Sequence, residues 1–428
     1  MDSKILLSSQ DITLRKKGVG MESTKEKGDR SANAEGEERR LLSSARPYLS
    51  FLPSYTLFLS VLVIFVHGTH FSLASLQAVP HSAFFSTSFL IKIEFFFSEF
   101  LGQVAVPGFF FLSGFLFFRG LDDAKSWGRK LKSRVFSYIL PYLIWNTMMT
   151  LLYLSFGKAE WSLKNLWEGI FVYRFNPVFW YFYQLILLSF CLPFMALSVL
   201  LIRGNITINR STAVNRNTAI KRADSKSPMS PLFLCFPLLF LLLVYFQVDI
   251  PFLNEDAAFY YSFGAALTVL GDGRKLFLPS FPLLGLALFC YAQTLFPHAI
   301  GILLLATVLY RLSMALFFLS LFSMKGESMK GEGSILPMKR RKSRVQSLSE
   351  ISFYIYASHY LFLRLWFFLQ RVLETKTAVF FTGDRRDAVK LFFYLLSPVY
   401  CLFLAYFTGR GIKRLSPRLW KLLNGGRG

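Results

Sequence analysis

Apolar stretches of about 18 or more residues recur along this chain, separated by short charged or Pro/Gly-rich breaks. Their approximate limits are 52–75, 95–118, 136–156, 177–201, 231–249, 257–271, 276–295, 298–323, 350–372 and 389–408. Most reach the length that a helix needs to cross a hydrocarbon core about 30 Å thick. None shows the period-two alternation of a membrane β-barrel strand. The pattern therefore predicts an all-α fold: a polytopic transmembrane helix bundle of about ten spans. The sixth segment is short, and the seventh contains Pro279 and Pro282.

The breaks alternate in basic charge. Lys and Arg concentrate in the N-terminal stretch, in 119–134, 202–230, 272–275 and 324–349, and at the C-terminus. Basic loops stay on the cytoplasmic side, so both termini are expected inside. Three regions follow: a disordered cytoplasmic tail (1–50), a transmembrane domain (51–408) and a basic cytoplasmic tail (409–428). Residues 1–46 are polar and charged, with no apolar signal-peptide core. The segments 202–230 and 324–349 read as cytoplasmic linkers.

Composition agrees with this picture. With 54% hydrophobic residues and 49 Phe, the chain does not resemble a soluble domain of its length. The net charge of +23 is mostly a topology signal, because nucleic-acid binding would need one basic face with aromatic platforms. The four cysteines stand apart in apolar segments, with neither metal spacing nor a disulfide framework. They read as packing residues.

Candidate chemistry begins in the first span, at LVIFVHGTHFSL (62–73), which holds two of the chain's five histidines. If the helix runs on to 75, His67 and His70 lie one turn apart on one face. An imidazole in lipid faces a bundle interior or a wet cavity. It is either bonded to a neighbouring helix or serves as a general base near neutral pH, and the span alone leaves both open. Glu94 and Glu99, at the start of the second span, either orient an imidazole or mark a solvated span end. Pro107 and Gly108 are expected to break that span, and Gly114 to aid packing. Arg311 and Arg364, within spans, should face protein or water. His81 and His298 read as loop or interfacial residues.

Four further stretches extend the pattern: VAVPGFFFLSGFLFF (104–118), GRKLKSRVFSYILPYLIWN (128–146), NPVFWYFYQLILLSFCLPF (176–194) and ISFYIYASHYLFL (351–363). In this order, after a first span ending in histidine, they resemble the acyltransferase type 3 family over about 50–408. That family comprises bacterial integral-membrane O-acyltransferases, with the motifs "VPxFFxxSG", "R…PYxxW", "NxPxWFxxxL" and "FxIYxxH". Many members carry an arginine about eleven residues before the histidine, where this chain has Thr56, and Gln103 stands where a basic residue often precedes "VP".

The resemblance implies transfer of an acyl group, usually acetyl, from cytoplasmic acyl-CoA to a hydroxyl of a cell-surface glycan or lipid-linked sugar. The setting implied is the bacterial inner membrane, with membrane lipid around the bundle and no resident cofactor or metal. His67 matches the essential histidine, as general base or as an acyl relay. His70 is an extra polar neighbour, and His359 matches the late histidine. Arg129, Lys130, Lys132 and Arg134 would hold the acyl-CoA phosphates. Ser113, Trp145, Asn146 and His70 are candidate donors to the oxyanion. Trp180, with Tyr181 and Tyr183, would stack on a sugar or form an aromatic belt. Two competing readings are a transporter or flippase of a lipid-linked glycan, and an inactive relative serving as an assembly partner.

Overall fold

A computed structural model of the chain describes residues 51–71, 88–119, 124–191, 235–270, 280–331, 350–377 and 384–426, with Leu49 and Leu348 besides. The tail expected at 1–50 (Leu49 apart), the linker 202–230, most of 324–349, and His81 lie outside the described residues. The described part is a helical bundle, and its only strand-like pairing is one isolated bridge, Ile250 to Leu253.

Twelve helices are used below. They are α1 (Leu52–His67), α2 (Phe89–Phe118), α3 (Gly128–Ser155), α4 (Leu163–Phe171), α5 (Pro177–Cys191) and α6 (Cys235–Phe246). The rest are α7 (Glu255–Leu270), α8 (Ser280–Thr294), α9 (Ile300–Gly331), α10 (Ser352–Thr377), α11 (Asp384–Leu415) and α12 (Pro417–Leu423). Every apolar segment read from the sequence overlaps one of these helices. Among the described residues, four stretches are long and apolar enough to cross a membrane: α2, α3, Ile300–Met324 within α9, and Arg386–Leu415 within α11. The short helices α4 and α12 were not anticipated.

Prolines shape the two irregular helices. In α2 the turns of Phe96–Leu101 widen to π geometry and those of Gly102–Val104 tighten to 3₁₀, before regular α-helix resumes at Ala105–Phe118. Pro107 has no N–H for the carbonyl four residues back, and its ring crowds that carbonyl. The distortion therefore sits upstream of Pro107, and the helix runs through Pro107 and Gly108 without the break expected there. The same happens in α3, where the π turns of Val135–Ile139 precede Pro141.

The core is made of aromatic and aliphatic side chains from α1, α2, α3, α5, α6, α7, α9, α10, α11 and α12. At its tightest crossing α2 meets α7 backbone to backbone. A Cβ on Gly114 would overlap the carbonyl of Tyr261, and one on Gly264 would overlap that of Phe111, so only glycine fits this approach. Buried polar groups are tied across helices, as a lipid-embedded bundle requires. The Tyr55 hydroxyl donates to the Ala315 carbonyl at 2.8 Å, joining α1 to α9. Ser98 donates to the Phe65 carbonyl at 2.8 Å and lies 2.7 Å from the Tyr394 hydroxyl, joining α1, α2 and α11. Arg311 faces Asp256 at 3.8 Å, and Arg364 bonds the Tyr360 hydroxyl one turn away.

Candidate active site

α1 ends at His67, and Gly68 caps it, its N–H bonded to the Phe65 carbonyl. The helix does not continue to 75, which corrects the expectation that His67 and His70 share a helical face. A Cβ on Gly68 would press on the Ile64 carbonyl and Ser397 Oγ at 3.0 and 3.1 Å. The chain leaves the helix there, and the two imidazoles go to different neighbours.

The His67 ring lies beside that of His359 from α10, centroids 5.5 Å apart and planes 38° apart. His67 is half-buried, and its imidazole makes no hydrogen bond among the described residues. His359 is fully buried. Its Nδ1 faces the Tyr356 carbonyl, and a carbonyl can only accept, so Nδ1 carries the hydrogen. The lone pair is then on Nε2, which is buried and meets no hydrogen-bond partner among the described residues. This pair holds accepting nitrogens inside a bundle.

His70 is different. Its backbone N–H donates to Glu94 Oε2 at 3.1 Å, Nδ1 faces Glu94 Oε1 at 2.5 Å, and Nε2 faces Gln370 Oε1 at 3.1 Å. Gln370 Nε2 donates to Glu374 Oε1 at 2.8 Å, which fixes the amide with its oxygen towards His70. Glu94 is fully buried. Both ring nitrogens of His70 thus face fixed oxygen partners, Glu94 Oε1 and Gln370 Oε1. Of the two carboxylates read as candidates to orient an imidazole, Glu94 orients His70.

Where α1 begins, a cavity of about 860 Å³ opens between α1, α2, α3, α5, α10, α11 and α12. Its cations are Arg134, Arg410 and Lys413. Arg134 donates to the Tyr138 hydroxyl at 2.6 Å, and Arg410 to that of Tyr406 at 2.8 Å. Each guanidinium is therefore held by a tyrosine one helical turn away on its own helix. Deeper lining comes from Phe109, Ser113, Tyr181 and Tyr356. The Tyr356 ring lies 5.5 Å from that of His359, and its hydroxyl donates to the Val178 carbonyl at 2.6 Å. The cavity therefore stops one aromatic layer short of the histidine pair.

The remaining candidates divide. Arg134 and Ser113 line the cavity, and Ser113 Oγ lies 3.4 Å from the Tyr181 hydroxyl. Lys130 is turned onto the carbonyls of Phe117 and Arg119, where it caps α2. Arg129 and Lys132 are exposed. Trp145 donates its indole N–H to the Leu423 carbonyl at 3.2 Å, and Asn146 Nδ2 reaches the Ile170 carbonyl at 3.4 Å. Trp180 packs against Phe110, centroids 6.1 Å apart. Thr56 lines the cavity and bonds the Pro53 carbonyl at 3.0 Å. Sequence reasoning missed Arg410, Lys413, Trp420 and Asn424, which also line the cavity. One available signal was Tyr406 and Arg410 at i, i+4, which repeats in reverse order the pair Arg134 and Tyr138.

A histidine pair inside an apolar bundle thus lies close to a cavity lined by Arg134, Arg410 and Lys413, with Glu350 also in its wall. The model of a family of acyltransferase domains, acyltransferase type 3, matches residues 57–410, so the chain belongs to that family. The match includes both histidines, Arg134 and Arg410, and stops before α12. No curated relative and no solved structure matches the chain.

Proposed function

We propose that this membrane acyltransferase moves an acyl group, by preference acetyl, from acyl-CoA to a hydroxyl of a cell-surface glycan or lipid-linked sugar. The observation that carries the reading is the His67–His359 pair, one aromatic layer beyond a cavity whose cations are Arg134, Arg410 and Lys413. Phosphates of the donor suit the two guanidinium forks and the ammonium. On this reading the cavity faces the cytoplasm, where acyl-CoA is made. Thr56 lines the same cavity, so cations from α3 and α11 serve where many relatives use an arginine on the first span.

His67 is the base. As the acceptor oxygen attacks the thioester carbonyl, its proton passes to the imidazole, and His359 Nε2 accepts a hydrogen bond from the imidazolium formed. Collapse of the tetrahedral intermediate breaks the C–S bond, and the proton returns to the thiolate, releasing free CoA. No net proton is taken up, so the reaction needs no relay through His70. His70 instead clamps the exit of α1 to α2 and α10 through Glu94 and Gln370.

The test is to delete the gene, complement it with wild type or His67→Ala, and follow esters on surface glycans by mass spectrometry. Wild type should restore a defined ester, while His67→Ala at equal membrane level should not. Full restoration by His67→Ala would overturn the assignment of the base. Deletion without any change in ester would favour transport or an inactive relative.

A further inference from the structure

Among the described residues, three arginines are held by a tyrosine one turn away on the same helix. Two of these pairs, Arg134 with Tyr138 and Arg410 with Tyr406, stand in the cavity wall. The third is on α10. The Arg364 guanidinium donates to the Tyr360 hydroxyl and lies over the Tyr360 ring, 5.0 Å from its centroid. Tyr153, near the end of α3, approaches both Tyr360 and Arg364.

The third pair has different surroundings. Arg364 interrupts the apolar run LFLRLWFFL (361–369). It is exposed, and so are Leu365, Phe368 and Leu369 beside it. The groups that act on its charge are the hydroxyls of Tyr360 and Tyr153, and no carboxylate among the described residues pairs with it. The nearby Arg174 is not comparable. Its guanidinium lies over Phe175, which stacks on Tyr153 at 5.2 Å, but it is engaged by Glu168 and Asn165. Arg364 is therefore a steadied cation, not neutralised, on an exposed apolar stretch of helix. Such a charge in a membrane protein calls for an anionic or polar partner, and a guanidinium fork suits phosphate oxygens.

Its place along α10 narrows the partner. In succession α10 carries Tyr356 in the cavity wall, His359 in the histidine pair, and Arg364. Arg364 lies five residues past His359, a rise of about 7.5 Å, in the direction away from the cavity. A sugar joined to a phosphate bridges a gap of that order.

We propose that Arg364, steadied by Tyr360 and Tyr153, binds the phosphate of a lipid-linked sugar. The lipid tail lies along Leu365, Phe368 and Leu369, and the sugar reaches towards His67 and His359. The proposal rests on the function given above and deepens it: of the two acceptors named there, it selects the lipid-linked one. Donor and acceptor phosphates are then held by the same device, an arginine and a tyrosine one turn apart, before and after the histidine along the bundle.

The experiment measures binding of a polyprenyl phosphate to the purified full-length protein by native mass spectrometry from neutral detergent. Wild type and Arg364→Gln are compared, with the uncharged polyprenol as control and excess phosphatidylglycerol as competitor. Acetyl-CoA affinity and melting temperature are determined on the same samples. Wild type should bind the phosphate and not the alcohol, and phosphatidylglycerol should not displace it. Arg364→Gln should weaken binding roughly tenfold or more, with acetyl-CoA affinity and melting temperature little changed. No binding by wild type, or affinity of Arg364→Gln within twofold of wild type, would overturn the proposal, while acetyl-CoA binding in the same samples would leave the donor reading in place. Displacement by phosphatidylglycerol would overturn the lipid-linked sugar and make Arg364 a contact for bulk phospholipid. Wild type that binds the polyprenyl phosphate but no acetyl-CoA would overturn the acyl-transfer reading, and with it the acceptor role, while keeping the phosphate site.

Discussion

The two flanks of the histidine pair are built in opposite ways. Towards the end of α1, His70, Glu94, Gln370 and Glu374 form a chain in which both His70 ring nitrogens and both Glu94 oxygens are engaged. Towards the start of α1, a cavity carries three cations, two of them steadied by tyrosines, with Glu350 also in its wall. In a low-dielectric interior, a network whose members satisfy one another contributes rigidity, whereas groups left over are available to a ligand. On the function proposed above, the first flank holds the site in place and the second takes the substrate.

Breaking the closed flank should cost the most stability. Glu94→Leu leaves the N–H groups of His70 without their acceptor and should destabilise the bundle by about 3 kcal/mol or more. That loss would be read from unfolding midpoints in detergent. Below its midpoint the variant should still bind acetyl-CoA. Weaker donor binding with unchanged stability would mean that the two flanks are not separable.

The open flank should show the reverse. Arg410→Gln should raise the KM for acyl-CoA roughly tenfold, with kcat and melting temperature little affected. A fall in kcat at constant KM would place Arg410 among the groups that act on the transition state instead. Between the flanks, Tyr356→Phe removes the bond to the Val178 carbonyl and should cost about 1 kcal/mol of stability, measured by the same unfolding. The smallest effect is expected from Arg129→Gln and Lys132→Gln. Both side chains are exposed, and neither change should alter KM for the donor by more than about twofold. A tenfold rise would restore them to the donor site.

Legibility in the sequence followed the same division. Apolar length located the helices, because burying about 20 apolar residues is a local property of the chain. Motif order pointed to the family and to His67 and His359, which the fold then brought within 5.5 Å of each other. The sequence reading failed where contacts join distant segments. Within 62–73 only Gly68 marks the end of α1, and the partners that take His70 away from His67, Glu94 and Gln370, lie 24 and 300 residues from it. Likewise the basic residues of 129–134 looked equivalent in sequence. The turn that starts α3 sends Lys130 onto α2 carbonyls and only Arg134 into the cavity. Arg410 and Lys413 looked like positive anchors beyond a span, and α12 was hidden in a stretch whose basic charge suggested a solvated tail.

The central claim is that the half-buried histidine beyond the cavity is the base and that the fully bonded one is not. The direct measurement is acyl transfer from acetyl-CoA by purified enzyme in lipid vesicles, for His67→Ala and His70→Asn, with acetyl-CoA affinity determined in parallel. His67→Ala should lose about 10²- to 10⁴-fold in turnover while binding the donor as wild type does. His70→Asn should lose stability first and retain most of its turnover below its unfolding temperature. Turnover preserved in His67→Ala and abolished in folded His70→Asn would contradict the account.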